Sequence, residues 1–210
     1  EPQDSVLGRK IIQSSINLID DFGFESFTFK KLAKEISSTE ASIYRYFENK
    51  HLLLLFLVSW YWEWVSYLIS INTMNLKDPK EKLRIIIHSF VFASQENPSV
   101  AYVNESKLHS IVISEGMKAY HTKEVDAENS KGFFMSYKNL ATYVSNVISE
   151  VNPEFKYPFA LATNLFEMSS NHVYFAKHLP KLTDVSIKEN NVKEVETMLN
   201  YFTEKLLAFD

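Results

Sequence analysis

The sequence predicts an all-α fold of about nine helices, with a three-helix N-terminal part that carries a helix-turn-helix and a larger helical part behind it. Two observations predict it. Apolar residues recur at i, i+3 and i+4 through most of the chain, with no sustained strand-like alternation. Five of the six prolines, Pro79, Pro98, Pro153, Pro158 and Pro180, fall between those periodic segments, where helices end or begin. The expected helices are 5–22, 29–36, 40–46, 50–71, 80–95, 99–114, 130–150, 157–178 and 188–208.

The first helix carries Ile11-Ile12 and Leu18-Ile19 on its apolar face and stops at Phe22-Gly23-Phe24. Thr28 is a suitable N-cap for the second, whose inner face is Leu32, Ala33 and Ile36. Ser37 and Ser38 interrupt that face. Thr39 can cap a third helix, on which Ile43 and Phe47 point inward while Glu40, Ser42 and Arg45 stay outside. Two short helices joined by a tight polar turn, the second with a short polar outer face, match an element that lies in a DNA major groove.

At these residues the chain resembles the tetracycline-repressor (TetR) family of bacterial transcription regulators. Thr28, Leu32-Ala33, Thr39, Ser42-Ile43-Tyr44, Tyr46-Phe47, Lys50 and Leu53 fit the family signature, and the helix before them fits its first helix and glycine stop. The resemblance covers about the first quarter of the chain. Ser37 departs from it, standing where the family has a turn glycine; Ser38 stands in place of a valine and His51 in place of a glutamate. If position 37 needs a left-handed backbone, serine costs roughly 1 kcal/mol relative to glycine.

The resemblance implies a helix-turn-helix DNA-binding domain over 1–49 and a helical ligand-binding and dimerisation domain over 50–210. It further implies a regulator, expected to be a repressor, whose homodimer binds a palindromic operator in double-stranded DNA. Ser38, Thr39, Glu40, Ala41 and Ser42 would open the recognition helix, where base edges are met. Thr28, Tyr44 and Lys50 would hold phosphates, and Arg45 could serve either role. A small molecule in the larger domain would tilt the fourth helix and move the recognition helices away from the ~34–36 Å spacing of successive major grooves.

Charge and composition bound these expectations. The chain carries a net charge of −4, and its first 51 residues hold eight acids against seven bases. Within 28–51, five basic residues face three acidic ones, so a local patch exists without a basic domain and few phosphate contacts are expected. With no cysteine there is neither a disulfide framework nor a thiolate metal site, which suits a cytoplasmic protein. No secretory signal is expected at the start.

Leu52 to Ile71 is apolar with Glu63 its only charge. Its eleven Leu, Ile, Val and Phe residues contribute about −5 kcal/mol on an insertion scale, and a central acid returns roughly +3. A long helix buried on most sides accounts for the same composition, so no membrane partner is expected. Helix 50–71 follows the helix-turn-helix without a linker and can transmit a shift. His121 to Gly132 reads as a polar, mobile connection.

Toward the C-terminus, Phe159, Ala162, Phe166, Ser169 and Val173 form one stripe, and Val192, Val195, Leu199, Phe202 and Leu206 another. Two-sided apolar helices suggest a homodimer closed as a four-helix bundle. The aromatic content of the larger part favours a small apolar or aromatic ligand. His88 is its most suggestive polar handle, with Trp64, Phe92, Tyr102, Phe133, Tyr137 and Phe166 as further candidate contacts and Asn171 a weaker one.

Catalytic and metal patterns are sparse. Only Glu48-x-x-His51 resembles a di-iron ligand pair, and Glu105 with His109 makes one i, i+4 pair. There is no Gly-rich phosphate loop and no nucleophile elbow. No metal, cofactor or enzymatic activity is expected. Two other classes stay open: a helical dimeric interaction protein with a degenerate helix-turn-helix, and a membrane-associated protein using 52–71.

Overall fold

Gly23 sets the first corner of the molecule. Helix α1, Val6–Phe22, turns Ile11, Ile12, Ile16 and Ile19 inward and ends where Gly23 takes φ 77°, its N–H closing on Ile19 O at 2.8 Å. At the other end, Ser5 caps α1 by accepting from the Gly8 N–H. A Cβ on Gly8 would lie 1.8 Å from the Pro2 carbonyl oxygen, so only glycine lets the N-terminal turn fold back there.

The computed structural model describes residues 1–93, 103–189 and 191–209. Among them regular structure is helical, with α2 Phe29–Glu35, α3 Glu40–Tyr44, α4 Lys50–Thr73, α5 Pro79–Phe92, α6 Glu105–Glu115, α7 Met117–Tyr120, α8 Val125–Ser130, α9 Met135–Val151, α10 Pro158–His178 and α11 Lys193–Leu207. The fold is all-α, with two more helices than expected. Both lie in or beside the stretch read as a mobile connection, where α8 buries Glu128. The last helix also starts later than expected, and Tyr102 lies outside the described residues.

The chain gathers into two compact units, and their division differs from a cut at 49/50. The first comprises residues 1–61 with the segment that ends at 134; the second comprises 62 onward through α5, then 135 to the end. Helix α4 contributes its first half to one unit and its second half to the other.

In the first unit α1 packs on α2 and α6. In the second, α5, α9 and α10 pack on one another, and α11 packs on α5 and α10. Asp78 caps α5 and Pro79 occupies its first turn, where a missing N–H costs nothing. At the centre of the second unit Trp62 stacks on Tyr137 at 4.1 Å and meets the Phe166 edge at 4.1 Å; Phe90 packs on Phe166 at 5.7 Å. Burial raises the Tyr137 hydroxyl to about 12.

By length and composition α4 could cross a membrane, but half of its most apolar stretch is buried inside the protein. Leu53, Leu54, Leu57, Tyr61, Val65 and Ile69 are each no more than 1 % exposed. Burial on several sides within two units explains why its composition is apolar all round.

Candidate nucleic-acid interface and ligand groove

The helix-turn-helix is built from local hydrogen bonds. Thr28 accepts from the Lys31 N–H and starts α2; Thr39 accepts from the Ser42 N–H and starts α3. Between them the chain closes α2 with a two-bond turn, Ser38 N–H donating to Ala33 O at 2.8 Å and Ser37 N–H to Lys34 O at 3.3 Å. This turn needs a left-handed residue, and Ser37 supplies it at φ 53°. Ser37→Gly should therefore stabilise the protein by about 1 kcal/mol, read as a raised midpoint in urea with unchanged slope.

Ile43 is the one residue of α3 that is buried. It and Phe47 turn inward, while Thr39, Glu40, Ala41, Tyr44 and Arg45 are exposed and Ser38 and Ser42 half-buried. Of the residues expected at base edges, Thr39, Glu40 and Ala41 are thus exposed. The exposed Tyr44 ring rests against Phe29 at 5.0 Å, and Thr28 is exposed as well as capping.

Lys50 sits differently. Its ammonium donates to Phe24 O at 3.1 Å and Glu25 O at 3.3 Å and lies 4.7 Å from the Phe24 ring centre. The side chain expected to reach a phosphate instead binds two backbone carbonyls of the α1–α2 corner. The same corner is gripped from α6 and α7. Glu115 Oε1 accepts the Phe24 N–H at 3.2 Å, while Lys118 pairs with Glu25 at 2.9 Å and with Glu115 at 2.7 Å. Lys118 pulls the Glu25 carboxyl below its usual range, and the two acids raise Lys118, Glu115 most. Nearby, Lys107 meets Asp20 at 3.5 Å and Asp21 at 3.4 Å.

The residues weighed as metal ligands have other partners. His51 Nε2 lies 2.7 Å from Glu128 Oε1, and His109 Nδ1 lies 2.7 Å from the Tyr61 hydroxyl, whose pKa is raised by burial. Among the described residues no group of three or more His, Cys, Asp and Glu could hold a metal ion.

The candidate ligand contacts do not converge on one site. Tyr137 and Phe166 both pack on Trp62 in the core. Trp64 stacks on Tyr67 at 6.0 Å. His88 stacks on Phe92 at 4.1 Å, with Nδ1 3.2 Å from Glu196 Oε1, so its polar atom is turned to an acid on α11. Phe133 belongs to the other unit.

The second unit instead contains a groove of about 440 Å³ that none of these residues lines. It is walled by Ser66, Ile69, Ser70 and Thr73 of α4, Met74 and Leu76 beyond it, Lys82 of α5, and Asn139, Leu140 and Tyr143 of α9. Its floor, Ile69, Thr73 and Leu140, is buried. Thr73 donates to Ile69 O at 2.8 Å and receives the Tyr143 hydroxyl at 3.0 Å. The aromatic count of the sequence pointed away from this site, whose lining is mainly aliphatic and hydroxylic.

The stripes read as a dimer interface are mostly internal. Ala162, Phe166, Ser169, Val173, Val195 and Leu199 are buried within the subunit, whereas Phe159, Phe202 and Leu206 are exposed. The apolar side chains left outside on α10 and α11 are Phe159, Tyr174, Tyr201, Phe202 and Leu206. Periodicity located an apolar face on each helix, but neighbouring helices of the same chain cover it.

A capped helix-turn-helix on an all-helical body defines the class: an all-α protein with an N-terminal helix-turn-helix. Residues 11–55 match the family model of bacterial regulatory proteins, tetR family. That match spans α1 to the start of α4, the part of the chain that carries the helix-turn-helix. AibR in complex with isovaleryl coenzyme A and operator DNA aligns with a TM-score of 0.64 at 16% identity, covering 92% of this chain and 97% of that one. The fatty acid degradation regulator FadR from Bacillus halodurans gives 0.65 at 16%, covering 92% of each. A TetR-family regulator from Syntrophomonas wolfei gives 0.68 at 17%, covering 95% and 94%. At these identities the likeness is one of fold. No curated protein matches the chain.

Proposed function

We propose that the protein is a transcriptional repressor that binds a palindromic operator as a homodimer and leaves it when a small molecule occupies the larger helical part. In this reading residues 1–49 bind DNA, and 50–210 hold the ligand and the partner subunit. The observation that carries it is the outer surface of α3, where a capped five-residue helix anchored by Ile43 leaves Thr39, Glu40, Ala41 and Arg45 exposed together. Thr28, Tyr44 and Arg45 are its phosphate-facing residues, while Lys50 positions the corner behind them.

Relatives of the same fold support the rest: one was captured with operator DNA and an acyl coenzyme A together. The exposed apolar side chains of α10 and α11 supply a face for a second copy. A protein that acts on operator DNA works in the cytoplasm. Helix α4, unbroken through both units, gives a route by which ligand occupancy reaches the helix-turn-helix.

Selection of operator sequences from random duplex DNA tests the reading. The full-length protein should enrich a palindrome with half-sites about one helical turn apart. Tyr44→Phe should weaken binding to all selected sequences alike, and Glu40→Ala should change the preferred bases. Selection without a palindrome would refute the proposal.

A further inference from the structure

The groove beside α4, α5 and α9 has a charge pattern as well as a shape. Its volume, about 440 Å³, lies in the range of small-molecule sites. Ile69, Leu140 and the Thr73 methyl make a buried apolar floor, and Leu76 and Met74 extend the apolar wall. Tyr143 is the one aromatic residue in the lining, and its hydroxyl proton is given to Thr73. The surface is therefore suited to a flexible aliphatic body more than to a stacked ring.

The lining contains one charged residue, the half-buried Lys82, and no acid. Among the described residues no carboxylate pairs with its ammonium. Lys82 also stands in the first turn of α5, where the helix dipole already contributes positive potential and a cation gains nothing from the helix. Ser66, Ser70 and Asn139 add donors around the same opening. An apolar floor under a rim of donors and one uncompensated cation is complementary to a molecule with a hydrocarbon body and one negative charge. A phosphate monoester, with close to two charges, would exceed what a single lysine neutralises.

We infer that this groove binds an aliphatic carboxylate, its chain on Ile69 and Leu140 and its carboxylate at Lys82. The inference rests on the ligand-released repressor reading, whose effector it names. It also replaces His88 and the dispersed aromatic residues as the ligand-reading elements.

The test uses the full-length protein and three ten-carbon probes: decanoate, decan-1-ol and decylamine. Direct binding is measured by titration calorimetry, and operator affinity separately with the selected palindrome. Decanoate should bind at least tenfold more tightly than decanol, and decylamine more weakly than either. Lys82→Gln should remove the preference for decanoate over decanol while leaving decanol binding unchanged. Ser66→Phe, which fills the groove, should abolish binding of both, with the helical circular dichroism of each variant serving as the folding control.

Equal binding of decanoate and decanol to the native protein would overturn the inference. Decanoate binding that survived Lys82→Gln undiminished would overturn it too. If decanoate binds through Lys82 yet operator affinity stays constant, the groove assignment stands and the ligand-release reading fails. If decanoate releases the operator equally from the native protein and from Lys82→Gln, release is real and the groove assignment fails.

Discussion

Replacing Trp62 by alanine should lower the unfolding free energy by about 3–5 kcal/mol. Trp62 is 2 % exposed and wedged between Tyr137 and Phe166, each with a ring centre 4.1 Å away. Truncation removes the transfer free energy of the indole and leaves a cavity that three neighbouring helices must collapse to fill. Two aromatic pairs are also lost, each contributing about 0.5–1.5 kcal/mol beyond burial. Urea unfolding followed by far-ultraviolet circular dichroism measures the change. A loss under 1 kcal/mol would mean that the second unit is not organised around this residue.

The second large effect belongs to α3. Ile43→Ala should destabilise the protein by about 2–5 kcal/mol and weaken operator binding at least tenfold. Ile43 is 0 % exposed and alone buries α3, a helix too short to persist by propensity. Without it the Thr39 cap has no packed helix to terminate, and the outer residues lose their common orientation. Operator binding is measured by fluorescence anisotropy at a temperature where the variant remains folded. Native affinity in a folded Ile43→Ala protein would show that α3 does not present the DNA-facing side chains.

The helix-turn-helix was legible because its determinants are local. Thr28 and Thr39 act on amides three residues away, and Leu32, Ala33 and Ile43 are set by helical period. Even the strain at Ser37 could be anticipated, since a serine at a turn glycine's position has to adopt the turn's backbone. The misreadings arose where the deciding partner is distant. His51 is 77 residues from Glu128, and that pairing accompanies a helix where the composition reads as connection. The apolar stripe of α10 was visible, but Phe166 faces Trp62 rather than a second subunit. Aromatic residues drew attention to His88 and Trp64, whereas the groove is lined by serines, a threonine and aliphatic side chains drawn from three helices and a loop.

The α1–α2 corner draws on three stretches of chain: 24–25, Lys50, and Glu115 with Lys118. During synthesis these arrive at different times. At about 5–20 residues per second, the interval between Lys50 and Lys118 lasts roughly 3–14 s. For that interval the nascent chain holds a helix-turn-helix with its local caps in place and its corner fastened from one side. The first unit cannot close until the stretch that supplies α6 and α7 has emerged, after α4 and α5 have been made. A chain interrupted before Glu115 would thus carry a loosely mounted reading head, and firm mounting comes only with a protein past its midpoint.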